Sequence, residues 1–310
     1  MKVSYKRVPV LLVVLCISVV LAGCSDSEDE NGTSGSASNL SGLNLKAEVD
    51  PETAIVTLPV DYVALGEQED SSIIWAARDA AIAQCAREEL DIPWVATAPD
   101  PYMPTRHMWA RYGPWTEDVA QKFGFVEPMG DGALIVNGIV EEPEGHEWIP
   151  WPNEGIPEEQ RSKTAEVCNS KPEVQRFDEV ALWVNGPGQQ ALNDESNAVN
   201  HDVRMQELFG ELEACYINEG MEMDPELPGY VVGAEPKINE EQIALALKTV
   251  ECKDQVDFTR RSADITAERQ IPIIEEHADE LFAARKQWDD TVAEAKEYIA
   301  AHPELFEPPK

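Results

Sequence analysis

Five histidines, six cysteines and 59 acidic side chains are the residues of this chain whose types could do chemistry, and their spacing decides what chemistry that is. His107, His146, His201, His277 and His302 are scattered singly, as solvated surface histidines are. "HEWIP" at 146–150 begins like an HExxH zinc helix, in which two histidines one turn apart grip the metal, and fails at its last position. No GxSxG elbow offers an activated serine to a histidine base. Glu144 with Glu147 would suit a glycosidase pair only in a chain less crowded with carboxylates, where two neighbouring acids would carry information. The glycine-rich "GPGQQ" at 186–190 lacks the following lysine that a phosphate loop needs, and reads as a turn. These residues predict a non-catalytic protein with no cofactor and no metal.

The four cysteines Cys85, Cys168, Cys215 and Cys252 lie far apart and form no CxxC pair, which points away from zinc and thioredoxin-like sites. An even set of this kind in an exported chain reads as two disulfides. Three pairings are open; pairing of sequence neighbours within half-chains favours Cys85 with Cys168 and Cys215 with Cys252. Each bridge would contribute roughly 3 to 4 kcal/mol by loop-closure entropy.

Export is expected from the first residues. Lys2, Lys6 and Arg7 precede Val8 to Leu21, an apolar or small run broken only by Ser18 and too short to span a bilayer stably. That is the build of a signal peptide over 1–23; a retained transmembrane helix is the alternative. Leu21-Ala22-Gly23-Cys24 resembles the lipobox of bacterial lipoproteins, in which the cysteine sulfur takes a diacylglycerol and the peptide is cut before it. Two acyl chains hold a protein at a membrane stably where one does not. Residues 24–44 then form a lipidated cysteine and an acidic Ser/Gly tether with an r.m.s. reach of roughly 20 to 25 Å. Within it "DSEDENG" lacks the glycine and distal glutamate of a calcium loop. The expected location is the extracytoplasmic face of the cell membrane, with the lipid anchor as first partner.

Losing residues 1–23 removes three basic residues and no acid, leaving 21 basic against 59 acidic side chains and a net charge near −38. Such a surface repels phosphates, which excludes nucleic acid as a partner and keeps the body from lying flat on anionic lipid. The remaining chain is long enough for one large or two small domains, and eight tryptophans argue for a real core.

The elements that would position these groups are mainly helical with a minor β component. "AIVTLPVDYVALG" (54–66) starts extended and Pro59 marks a strand end or edge. Asp70 or Ser71 is the expected cap of a helix carrying Ile74, Ala77, Ala81 and Cys85 on its buried face. "WTEDVAQKFG" is a short helix with Thr116 as cap, Trp115 stapled to Ala120 and Gly124 as stop. A long acidic loop spans about 126–157, and its Trp148 and Trp151 could form an aromatic platform for a glycan or peptide, although satellite core is the commoner use. "VRMQELFGELEACYINEGMEM" is a helix with Met205, Leu208, Leu212 and Cys215 in one stripe. The helical body of 45–235 is followed by a C-terminal helical hairpin over 236–310, where Asn239 and Gln242 make a capping box. A very long helix from Phe258 to Ala301 is expected to kink at Pro272. Beyond the proline, Ile274, Ala278, Leu281, Arg285, Trp288, Val292, Ala295 and Ile299 repeat at four and three. That heptad seam is either a docking surface for a partner, centred on Ile274, Leu281, Trp288 and Val292, or cover for the chain's own helix at 240–253.

Several stretches resemble a family of uncharacterised lipoproteins of high-GC Gram-positive bacteria: "VTLPVDYVAL" (56–65), "AIAQCAREELDI" (81–92), "ARYGPWTEDVAQKFGF" (110–125), "EACYINEGMEM" (213–223) and "IALALKTVECKD" (243–254) with the long helix after it. The sequence departs from that pattern around 126–200, where the Trp-bearing loop and Cys168 lie, and this leaves the partner of Cys85 open. The resemblance implies a mostly helical surface lipoprotein working beside a membrane export system. The expected function is that of a non-catalytic envelope lipoprotein engaging a membrane or cell-wall protein; the alternative is the solute-binding lipoprotein of an importer, which would need two α/β lobes.

Overall fold

The computed structural model describes residues 45–63, 68–99, 110–143, 151–178, 182 and 186–309. The expected leader over 1–23, Cys24 and the expected tether, His107, His146, Glu144, Glu147 and Trp148 lie outside them. Among the described residues ten α-helices carry the fold, and extended structure is confined to one small hairpin, β1 (Glu48–Asp50) against β2 (Ile55–Thr57), with Val49 opposite Val56. Its turn is closed by Asp50, whose carboxylate accepts from the Glu52 N–H at 2.9 Å and the Thr53 hydroxyl at 2.8 Å. Pro59 ends the strand and opens a short 3₁₀ turn over Pro59–Tyr62. Repeated strand and helix alternation, which the importer reading requires, is not found in the described residues.

α1 (Gln68–Leu90) begins earlier than expected: Asp70 and Ser71 lie inside its first turn and do not cap it. Ile74, Ala77, Ala81 and Cys85 are buried along one face as their spacing predicts. Ala76, Ala80, Ala83 and Ala86 are buried too, and such small side chains let a second helix approach to about 8 Å. α2 (Glu117–Phe123) has Thr116 accepting from the Val119 N–H and Gly124 at its stop. The expected staple of Trp115 on Ala120 does not form. Trp115 packs with Val119 and Phe123 against the β-hairpin, while Ala120 faces the neighbouring core of Leu208, Tyr216 and Val250.

The segment expected to be a loop over about 126–157 carries one short helix, α3 (Asp131–Val136), and is followed by α4 (Glu158–Cys168) and α5 (Pro172–Gln175), for which no element was expected. "GPGQQ" is not a turn but the start of α6 (Pro187–Ala198): Pro187 occupies the first helical position, where its missing N–H costs nothing. α7 (Val203–Asn218) buries Met205, Leu208, Leu212 and Cys215 as read. In α8 (Glu240–Gln255) the side chain of Asn239 accepts from the Gln242 N–H at 2.8 Å. Gln242 does not return the bond to close a capping box. Its amide reaches away, accepting from the Glu235 N–H at 2.8 Å and donating to the Gly233 carbonyl at 3.0 Å.

The long C-terminal pattern is two helices, α9 (Phe258–Glu276) and α10 (Ala278–Ala301). Pro272 sits within α9 and the break falls five residues later at His277, packed against Gly188 of α6. A Cβ at Gly188 would stand 2.6 Å from the Cβ of His277, so only glycine fits there. The Gly188 N–H donates to both carboxylate oxygens of Glu280 at 3.1 Å, which gives α6 an acidic group at its N-terminal end. α10 runs along α1, the most extensive helix pair in the fold. Two disulfides staple the whole: Cys85 to Cys168 joins α1 to α4, and Cys215 to Cys252 joins α7 to α8.

Candidate functional site

The heptad seam is inside the molecule. Ile274, Leu281, Trp288 and Val292 are between 0 and 7 % exposed. Ile274 and Leu281 pack with Val63 and Leu192; Trp288 and Val292 pack with Ile73, Ile74, Ala77 and Phe177. The seam as a partner-docking surface is therefore corrected: its cover is chiefly α1, which a pattern read along α10 alone could not name. Arg285, the one charged member, stays at the edge and pairs with Asp289 at 2.9 Å.

The three described histidines stand apart. His302 stacks on Tyr298 with ring centroids 4.3 Å apart and has Nδ1 2.9 Å from the Tyr298 carbonyl. His277 marks the α9–α10 break, and His201 ends a short turn before α7. Among the described residues no group of three or more His, Cys, Asp or Glu side chains is placed to hold a metal ion.

Trp151, the described half of the aromatic pair, is 43 % exposed and meets Trp94 edge-on with centroids 5.7 Å apart. The guanidinium of Arg161 lies 5.7 Å over its ring. Behind it Asn153 is fully enclosed and forms a two-way clasp with Val95, accepting from its N–H and donating to its carbonyl, each at 2.8 Å. Trp94 donates to Asp79 at 3.1 Å. This cluster fastens the end of the 126–157 segment to the stretch after α1, and leaves one tryptophan face in water.

A different group has the most perturbed surroundings. Lys253 of α8 is 2 % exposed. Its Nζ donates to the carbonyl oxygens of Tyr112 and of Pro114, the second at 2.7 Å. Two residues before Tyr112, the Ala110 carbonyl accepts from the Tyr230 hydroxyl at 3.3 Å and the Gly113 N–H at 3.0 Å. Alternate carbonyls of the 110–114 turn thus face donors from α8 and from the loop at 221–234. Gly229 seals that loop over the turn: at φ +89° a Cβ would stand 2.7 Å from the Cβ of Tyr112. Tyr112 itself sits edge-on to Phe209 and Phe258. Loss of water pushes the Lys253 amine down to about 7. The signal for its burial was present in the sequence, since Ala246, Thr249, Val250 and Lys253 continue one face of α8, but a lysine is ordinarily assigned to solvent.

A surface network fixes α6, α7 and α9 to one another. Arg269 pairs with Glu195 and with Asp202, the latter at 3.1 Å, while Arg204 pairs with Asp202 at 3.1 Å and with Glu268. The Arg204 side chain and N–H hold the Asp202 carboxyl well below the usual carboxylate range. Large apolar side chains left in water include Trp75 on α1, at 55 %, and Ile217 at the end of α7.

No protein-family model, no curated protein and no solved structure matches this chain. All four cysteines of the described residues are in disulfides, and the Lys253 amine is enclosed.

Proposed function

We propose that the chain is a non-catalytic lipoprotein, anchored through Cys24 at the extracytoplasmic face of the cell membrane, whose helical body engages a membrane or cell-wall protein beside an export system. The single observation that carries the reading is Leu21-Ala22-Gly23-Cys24 at the end of a short apolar run with a polar tether behind it. Two disulfides between distant helices support it, because such bridges persist in oxidising compartments. The strongly acidic composition supports a body standing off an anionic lipid surface. With the seam buried, the partner meets the outer surface, where Trp75 stands exposed. No helix of the described residues is long and apolar enough to cross a membrane.

The test is metabolic labelling with an alkynyl palmitate in cells making the full chain or its Cys24→Ala variant. The expected result is label and membrane sedimentation for the first, and loss of both for the second. Sedimentation that persists without label in Cys24→Ala would assign attachment to the apolar run and overturn the lipoprotein reading.

A further inference from the structure

We propose that Lys253 is a proton-operated latch: the neutral amine closes the 110–114 turn onto α8, and protonation of the enclosed amine favours release of that turn together with the 221–234 loop. The geometry is that of a joint with one removable charge. Lys253 is held by two backbone carbonyls, Tyr112 and Pro114, and by no carboxylate of the described residues. A neutral amine has two N–H donors, which these two carbonyls satisfy; an ammonium has three, so one is left unpartnered in an enclosed site. The pieces released are the turn and the loop that Gly229 and Tyr230 press on it, and their release works against the bonds of Arg111 to Ser196, of Tyr112 to Asn200 and of Tyr216 to the Gly229 carbonyl.

The other groups facing the joint do not duplicate its response. On the turn stand Arg111 and the phenol of Tyr112, which burial pushes up. On the loop stands the phenol of Tyr230, pushed up by burial and by nearby Glu127. On α8 and just after it are Asp254, raised by burial and by Asp257, and Asp257 itself. Burial drives both phenols away from neutrality and brings the amine toward it. The sign follows: between about 7 and 10.5 the opened state binds the proton that the closed state has lost, so closing is favoured as pH rises and is insensitive to pH below about 7.

Two measurements on the full chain test this, and neither depends on where the protein resides. The first follows the ¹³Cε resonance of Lys253 through a pH titration, with a midpoint near neutrality expected. The second is native-state hydrogen exchange, corrected for intrinsic rates, of amides in 111–116 and 229–234. Their opening constant should fall about fiftyfold from pH 7 to 9 in the wild type and stay flat in Lys253→Met. A lysine midpoint above 9.5, or the same slope in the variant, overturns the latch. Should the variant fail to fold, the wild-type slope decides: confined to these amides it supports the latch, and shared equally by amides of α1 and α4 it refutes it.

Discussion

Arg87 and Lys253 are both cations that take backbone carbonyls as partners in place of carboxylates, each beside a disulfide, yet the two joints they close differ in kind. Arg87, two residues from Cys85, is half-buried; it donates to the carbonyls of Trp94 at 2.7 Å, Glu304 at 3.0 Å, Leu305 at 3.1 Å and Glu307 at 2.7 Å. The planar fork of five donors suits several acceptors at once, and although burial lowers its pKa, with Glu304 opposing, a guanidinium remains charged in proteins. Lys253, next to Cys252, is deeper, and the point charge that its amine gains on protonation lies where water cannot reach. The same device is permanent at one depth and reversible at the other. Depth and the chemistry of the head group together, not the number of hydrogen bonds, separate a clamp from a latch.

The largest effect is expected from cutting the staple beside each joint. Replacing Cys85 and Cys168 by serine opens a span of 83 residues and should cost about 4.5 kcal/mol, against about 4 kcal/mol for Cys215 with Cys252, whose span is 37, by loop-closure entropy. Urea unfolding of the two double variants reads the order, and the reverse order would show that local packing outweighs loop length. Next comes Lys253→Met. Because the folded amine titrates below the unfolded one, wild-type stability gains from this group as pH rises through 7, so the gap between wild type and variant should widen by about 1.4 kcal/mol per pH unit up to pH 9. Arg87→Met should show the smaller and flatter loss, about 2 kcal/mol, since water can reach the exposed carbonyls it leaves, and the loss should not change between pH 6 and 9. A pH slope in that variant would erase the distinction between the joints.

The elements legible in the sequence are those whose information is local. Met205, Leu208, Leu212 and Cys215 predict α7 by spacing alone, and Asn239 predicts the start of α8 by its chemistry. The neighbour pairing favoured for the cysteines is the pairing observed. What was missed depends on distant partners. Gln242 has the local option of a capping box, but the chain folded back at 233–235 offers it two bonds. α4 is polar almost throughout, with Thr164 and Cys168 alone buried, so no stripe announces it. The break in the C-terminal helices falls at His277 because α6 presses there through Gly188, a contact between segments some ninety residues apart. The "GPGQQ" start carries a local helix signal in proline at the first helical position, beside glycines that equally suit a turn. Lys253 was hidden by the ordinary habit of lysines.

The pairing of α1 with α10 also sets an order of events in time. The hydroxyl of Tyr298 reaches Gln84 across 214 residues of chain, and the face of α1 bearing Ile73, Ile74 and Ala77 has Trp288, Val292 and Ala295 as its cover. During vectorial synthesis α1 therefore emerges with an unsatisfied apolar face and keeps it until about two hundred further residues have followed. Closure of loops this long slows folding relative to local packing, so the docking of α10 acts as the step that commits these helices to their native arrangement.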